Sequence, residues 1–318
     1  MYKNFFGLRA NPFNVNPDPR YLYLTRHTRE ALACLTYGIQ NRKGFVLLTG
    51  EVGTGKTTLL NKFLEWLRMQ RVATAFVFNP RLTTAEFFDY MMADFGIACE
   101  SKEKSQRLLR LNQWLLERYR AGETAVLIVD EAQNLSSEVL EEIRLLTNLE
   151  TSTEKLLQIV LCGQPELEAK LREPHLRQLR QRITLRCRTH PLTEEETESY
   201  VGQRLRIAGA NGTPVFSPEA MKKVYQFARG IPRVTNLICE HALISAFVDQ
   251  KKPVPPETVE SVASEFELDD LTSPTAVAQA ASVGENVSLI EALRVLAGAG
   301  EKLRQLETPG ETRKEKKL

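Results

Sequence analysis

Residues 45–57 of this 318-residue chain read Phe-Val-Leu-Leu-Thr-Gly-Glu-Val-Gly-Thr-Gly-Lys-Thr, the most informative stretch of the sequence. The apolar run 45–48 predicts a buried strand, and apolar residues at helical spacing after Lys56 predict a helix. Between them, residues 50–57 match the phosphate-loop pattern G-x-x-x-x-G-K-[ST]. Glycines let backbone N–H groups turn inward around phosphates, and the helix N-terminus adds partial positive charge. The stretch therefore predicts a nucleotide-binding loop that opens an α/β domain.

Each position of this loop has an expected task. Lys56 should reach the β- and γ-phosphates of ATP, and the Thr57 hydroxyl should bind Mg²⁺. ATP and Mg²⁺ are therefore the expected ligands. The predicted nucleotide-binding residues are Gly50, Glu51, Val52, Gly53, Thr54, Gly55, Lys56, Thr57 and Thr58.

A second apolar run, residues 125–129, ends in the acidic pair Asp130 and Glu131. A buried strand there would deliver Asp130 to its carboxyl end, beside the phosphate loop, where Asp130 can hold Mg²⁺ through a water molecule. Glu131 is then placed to orient and polarise the attacking water. The two motifs together predict ATP hydrolysis.

The whole chain shows a change of pattern near residue 190. Before it, short apolar runs alternate with amphipathic stretches, which favours an α/β fold of the P-loop type, with a parallel five-stranded sheet covered by helices on both faces. After it, the periodicity is helical throughout, which indicates a small helical lid. The predicted strands are 45–48, 73–78, 125–129, 157–162 and 183–187. The predicted units are a nucleotide-binding domain (1–192), a helical lid (193–268), a flexible linker (269–287), and a short amphipathic helix with a charged tail (288–318).

Composition excludes several classes of protein. The net charge is +2, from 42 basic and 40 acidic residues, so there is no global attraction to nucleic acid. The 5 cysteines are scattered and the 4 histidines include no HExxH pattern, which argues against a disulfide framework and a zinc site. No apolar run approaches the roughly 18 residues of a membrane-spanning helix, and the N-terminus lacks a signal-peptide core. We expect a cytoplasmic protein.

The phosphate loop with the pair Asp130–Glu131 resembles an AAA+ ATPase, and further motifs are more specific. They resemble the ExeA-like ATPases of the general secretion pathway over roughly residues 1 to 266. Relatives in that family serve type IV pilus assembly and exosortase or polysaccharide loci. The resemblance therefore implies an ATPase that energises or regulates assembly of a secretion, pilus or surface-polysaccharide export apparatus. The motifs are residues 5–8 (Phe-Phe-Gly-Leu), 11–13 (Asn-Pro-Phe), 18–22 (Asp-Pro-Arg-Tyr-Leu), 144–150, 163–167 and 178–183.

The resemblance also implies roles for three residues beyond the two motifs. Gln164 matches the first sensor of the γ-phosphate, although it could be a helix-capping amide. Arg233 matches the second sensor, reaching from the lid, although it could be a surface arginine after a helix-starting proline. Arg182 matches an arginine finger that acts on a neighbouring subunit, with Arg180 as its competitor. The family pattern thus implies an ATP-dependent homo-oligomer.

Some alternatives stay open at the level of sequence. The arginine-rich segment 172–188 fits a subunit interface, a DNA-backbone contact or a solvated surface. Tyr21, Tyr23 and Phe13 could wall an adenine pocket or belong to the core. Longer family members continue into a transmembrane helix and a periplasmic peptidoglycan-binding domain, so this chain is expected to reach the inner membrane only through a partner. One alternative function is a DNA-binding transposition regulator, which no helix-turn-helix or strongly basic domain supports but which the near-neutral charge does not exclude. The other is a nucleotide-gated scaffold, against which Glu131 argues.

Overall fold

The computed structural model describes residues 1–14, 18–78, 81–101 and 103–268. The predicted linker at 269–287 and the predicted tail at 288–318 lie outside the described residues. The strands are β1 (Phe45–Thr49), β2 (Val72–Val77), β3 (Thr124–Val129), β4 (Leu157–Gly163) and β5 (Leu185–Arg188). The helices are α1 (Tyr2–Phe6), α2 (Arg26–Gln40), α3 (Lys56–Arg68), α4 (Thr84–Asp94), α5 (Lys104–Arg120), α6 (Ser137–Leu146), α7 (Pro165–Leu171), α8 (Arg177–Arg182), α9 (Glu194–Ile207), α10 (Pro218–Ala228), α11 (Pro232–Val248) and α12 (Pro256–Glu265).

In the described part of the chain, five parallel strands form one sheet in the order β2-β3-β4-β1-β5. The register pairs Phe45 of β1 with Ile159 of β4, and Val46 of β1 with Leu185 of β5. All residues of β1 and β4 are buried, as parallel strands covered on both faces require. The predicted five-stranded parallel sheet of a P-loop fold is confirmed.

Successive residues of β1 point into two different cores, which shows how the sheet is covered. Phe45 and Leu47 belong to the cluster formed with α4, α5 and α6. Val46 and Leu48 belong to the cluster formed with α2 and α3. This alternation follows from the two-residue period of a strand. The phosphate loop, which joins β1 to α3, is therefore anchored by packing on both sides of the sheet.

Helices α9 to α12 form a separate hydrophobic cluster, which includes the beginning of the chain. Phe6 and Phe13 are buried in this cluster, at 3% and 1% exposure. A capping box between Thr193 and Glu196 opens α9, as the sequence predicts. The first 13 residues thus pack with the helices that follow the sheet rather than with the sheet.

The structure adds helices that the sequence pattern did not locate. One of them is α2, where the Thr25 side chain accepts from the backbone N–H of Thr28 and caps the first turn. Another is α6, which Ser136 caps in the same way. Among the helices of the described ranges, none is both long and apolar enough to cross a membrane.

Candidate functional site

The phosphate loop lies at the carboxyl end of β1, where that strand leads into α3. Gly55, at the start of α3, has φ 93°, a left-handed backbone angle that glycine adopts without steric cost. Lys56 is buried at 6% exposure, and its Nζ donates to the carbonyl oxygens of Gly50 (2.8 Å) and Glu51 (2.9 Å). These bonds hold the ammonium group inside the loop that the sequence assigns to phosphate.

Asp130 lies next to this loop at the end of β3. Its backbone N–H donates to the carbonyl of Val77 on β2, which extends the sheet by one residue. The Thr57 hydroxyl lies 3.4 Å from Asp130 Oδ2, so the two predicted metal ligands meet. A hydroxyl and a carboxylate are hard oxygen donors of the kind that Mg²⁺ prefers, so these residues fit a magnesium ion.

Burial disfavours the ionised form of Asp130. The side chain is 5% exposed, and this burial raises the pKa of its carboxyl. The backbone N–H of Glu131, which donates to Oδ1 at 2.9 Å, and the charge of Lys56 act in the opposite direction. A bound cation would favour the ionised form of this carboxylate.

Two amide side chains hold the carboxylate of Glu131. Its Oε2 accepts from Gln164 Nε2 at 3.1 Å and also from Gln133 Nε2. Gln133 in turn accepts from the backbone N–H of Gln164 at 3.1 Å, which closes a ring of polar contacts. Glu131 has φ 51°, a left-handed conformation that is unusual outside glycine and turns its side chain back over the loop. The structure thus brings Gln164 to Glu131.

Gln133 is a site residue that the sequence reasoning missed. A methyl group on Gly163 would lie 2.7 Å from Gln133 Oε1 and 2.8 Å from Leu167 Cδ2, so the glycine at the end of β4 leaves room for both side chains. The signal was present in the sequence as an amide three positions after Asp130. Its importance depends on the turn at Glu131, which no local pattern indicates.

The lid reaches the phosphate loop at the start of α11. The backbone N–H of Arg233 donates to the carbonyl of Gly53 at 3.2 Å, so the predicted second sensor lies beside the loop. A cavity of about 590 Å³ lies between the loop and the lid. Tyr21 and Tyr23 line it, whereas Phe13 lies in the helical core. The lining also contains residues 52–59, Glu131, Leu192, Tyr200, Arg204 and Asn236.

The predicted arginine finger lies away from this cavity. Arg182, at the end of α8, donates from Nη1 to Thr147 Oγ1 at 2.7 Å, at the C-terminal end of α6. Its competitor Arg180 is exposed. Within one chain, therefore, the structure brings together Lys56, Thr57, Asp130, Glu131, Gln164 and Arg233, and it does not bring Arg182 to them.

Sheet order, phosphate loop, acidic pair and helical lid together define a nucleotide-binding domain of the AAA class. Residues 39–171 match the family model described as an AAA domain. The match supports the prediction that the chain is an ATPase. The chain is also similar to general secretion pathway protein A of Aeromonas hydrophila, with 47% identity over 249 residues, which cover 78% of this chain and 45% of the relative. The predicted resemblance to the ExeA-like ATPases is thereby confirmed.

Two further comparisons concern a DNA helicase of similar sequence and a solved structure of similar fold. A stretch of 107 residues is 31% identical to the ATP-dependent DNA helicase Pif1 of Psychrobacter and covers 31% of this chain and 16% of that relative. The fold is similar to that of the Aeropyrum pernix ORC2 protein, solved in ADPNP and ADP complexes. The TM-score is 0.60 at 18% identity, over 83% of this chain and 75% of the other. The chain spans less than half the length of each of these two sequence relatives.

Proposed function

We propose that this chain binds ATP with Mg²⁺ and hydrolyses it, and thereby energises or regulates assembly of a secretion, pilus or surface-polysaccharide export apparatus. The observation that carries the proposal is the meeting of Thr57, Asp130 and Glu131 beside Lys56. Three oxygen-bearing side chains and one ammonium group at a glycine loop are the parts that phosphoryl transfer from ATP requires.

Binding uses the loop and the cavity together. The backbone N–H groups of the loop and the Lys56 ammonium donate hydrogen bonds to the phosphate oxygens, and Lys56 exchanges its carbonyl partners for these oxygens. The base enters the cavity between the loop and the lid, where Tyr21 and Tyr23 supply aromatic surface. Arg233 contributes positive charge from the lid.

Thr57 and Asp130 would hold Mg²⁺, which neutralises phosphate charge and orients the β- and γ-phosphates when bound. Glu131 orients the attacking water and accepts its proton. Gln133 and Gln164 both donate to Oε2 of Glu131, so they fix the carboxylate and leave Oε1 for the water. Gln164 can also respond to the γ-phosphate, because its amide is hydrogen-bonded to Glu131, which faces the attacking water.

A neighbouring subunit completes the site in this proposal. Arg182 bonds to Thr147 and does not line the nucleotide cavity of its own chain. We therefore assign it to the nucleotide of a second copy. The protein then works as an ATP-dependent homo-oligomer at the cytoplasmic side of the inner membrane. Its partner is an inner-membrane component of the apparatus; the similar protein of A. hydrophila is named for a general secretion pathway.

The test of the enzymatic part is the rate of Mg²⁺-dependent ATP hydrolysis. Glu131→Gln should bind ATP and turn it over roughly 10²–10⁴-fold more slowly, the loss typical of a missing general base. Glu138→Gln, an exposed glutamate at the start of α6, is the matched control and should keep the wild-type rate. Equal rates for wild type and Glu131→Gln would contradict the proposal.

DNA is the second candidate partner, because arginines of the segment 172–188 such as Arg177, Arg180 and Arg186 are exposed. The ATP-trapped Glu131→Gln variant separates the two candidates. Crosslinking in cells should join it to envelope assembly proteins. Strong retention of duplex DNA with ATP, falling steeply as salt rises, would favour a DNA-binding transposition regulator instead.

A further inference from the structure

A second cavity, of about 650 Å³, lies on the other side of the phosphate loop. Its walls come from the loop residues 50–52, from α7, from the end of β5 and from the turn at 229–231 between α10 and α11. It shares Val52, Thr189 and His190 with the nucleotide cavity. The loop is therefore a common wall between two cavities.

Three arginines line this second cavity, against two carboxylates. Arg188 is paired with Glu168, whose Oε1 accepts from Arg188 Nε at 3.0 Å and from the Thr49 hydroxyl at 2.6 Å. Arg172 and Arg229 are exposed, and within the described ranges neither side chain has an ion pair or a hydrogen bond. Glu51 is the other carboxylate in the lining. The cavity thus presents two guanidinium groups that are available to an anion.

Arg229 occupies its position at a conformational cost. It is the residue after α10 and has φ 49° and ψ 35°, the left-handed conformation that glycine or asparagine usually provides at the end of a helix. Residues held in such a conformation are enriched at ligand-binding sites. The side chain lines the cavity.

We propose that this cavity binds a small organic anion that carries phosphate or carboxylate groups, held by Arg172 and Arg229. The volume lies within the range of small-molecule sites, and a guanidinium group binds either kind of anion through paired hydrogen bonds. Because Gly50 and Val52 form part of its wall, an anion bound there changes the affinity of the phosphate loop for nucleotide. The cavity is thus an effector site next to the nucleotide site.

The test is calorimetric titration with citrate and with pyrophosphate, in Mg²⁺-free buffer and with the phosphate loop saturated with ADP. Binding of at least one probe is expected, and the tighter one tells carboxylate from phosphate ligands. Arg229→Gly should raise the Kd about tenfold or more, the effect of losing a charge-assisted hydrogen bond, and so should Arg172→Ala. Glycine suits the backbone at position 229, so thermal unfolding of Arg229→Gly should match that of the wild type.

Two control variants separate this proposal from its alternatives. Arg177→Ala, an exposed arginine of α8, should leave anion binding unchanged, and an equal loss there would indicate a diffuse charge effect. Lys56→Ala removes nucleotide binding in the proposed function but should retain citrate binding. Loss of citrate binding in Lys56→Ala, or no saturable binding of either probe to the ADP-loaded protein, would overturn the effector site.

Discussion

Asp130 meets two opposing demands at the scale of a single residue. Its place at the end of β3, beside Thr57 and Lys56, suits a metal ligand, yet burial raises the pKa of its carboxyl. An ionised group that burial disfavours lowers the stability of the folded state. In the proposed function, this loss of stability accompanies the role of Asp130 as a cation ligand.

Asp130→Asn should consequently stabilise the protein when Mg²⁺ and nucleotide are absent. Since the pKa of Asp130 is raised in the folded state, the wild type loses stability as the pH rises through that pKa, and the variant does not. The advantage of the variant should therefore vanish at acidic pH, where Asp130 is protonated. Urea unfolding of both proteins between pH 4 and 8 measures this difference. A constant difference across that range would contradict it.

Gln133 should affect turnover rather than binding. Gln133→Ala removes one of the two donors to Glu131 Oε2 and frees the carboxylate to rotate. We expect kcat to fall about tenfold with KM nearly unchanged. The reason is that the Gln133 amide positions the Glu131 carboxylate, which orients the attacking water, and does not contact the phosphates. Steady-state ATP hydrolysis measures both constants, and Asn134→Ala, an exposed neighbour, is the control. A rise in KM alone would assign Gln133 to nucleotide binding.

At the scale of helices and strands, local sequence patterns located most of the fold. The apolar runs predicted β1, β3 and β4 to within one residue at each end, because buried parallel strands are apolar throughout. The start of β5 was wrong by two residues, since Ile183 and Thr184 precede the paired part. The sequence pattern did not predict α2, a helix that is only partly buried.

The candidate site likewise has a part that local sequence patterns predicted and a part that they did not. The phosphate loop and the pair Asp130–Glu131 are contiguous motifs, so the sequence contained them. The bond between Gln133 and Glu131 depends on one left-handed residue, and the strand order depends on pairing between segments far apart in the chain. No local periodicity encodes either feature.

Helix α8 allows a sharp test of the arginine finger. Arg182→Ala should bind ATP but lose most turnover, and fingers in well-measured GTPases contribute 10³–10⁵ in rate. Mixing it with Glu131→Gln should restore part of the activity, because a mixed interface can pair an intact Glu131 with an intact Arg182. ATP hydrolysis per subunit in the mixture is the measurement, and Arg180→Ala is the control.

The bond between Arg182 and Thr147 offers a competing explanation for such a loss. Thr147→Val removes the acceptor of that bond and leaves the arginine in place. Nearly normal activity in Thr147→Val would support the finger. An equal loss in Thr147→Val, or no rescue on mixing, would assign Arg182 a purely structural role.

At the scale of the whole molecule, the beginning of the chain and the lid form one folding unit. Arg204 of α9 donates from Nε to the carbonyl of Pro12 at 2.6 Å, and its guanidinium lies 4.5 Å from the ring of Tyr21. Phe5 packs against Phe247 of α11 at 5.7 Å. The lid core therefore includes residues that precede the sheet in sequence.

Phe13→Ala should destabilise this unit by about 3–5 kcal/mol, the usual cost of truncating a fully buried phenylalanine. Hydrogen exchange should show the loss of protection in α9 to α12, while β1 and β4 keep theirs. Loss of protection concentrated in the sheet would contradict this assignment. Phe78→Ala, at an exposed position, is the control.

The position of β1 in the sheet has a consequence for synthesis of the protein. The backbone N–H of Gly44, just before β1, donates to the side chain of Gln158, 114 positions later. Gln158 lies in β4, and β4 and β5, the two neighbours of β1 in the sheet, both come far later in the chain. At translation rates of about 5–20 residues per second, β1 waits roughly 6–20 s for its first neighbour to leave the ribosome. Its apolar segment Phe45–Thr49 has no neighbouring strand during that interval, so we expect the nascent chain to bind chaperones before it can bind ATP.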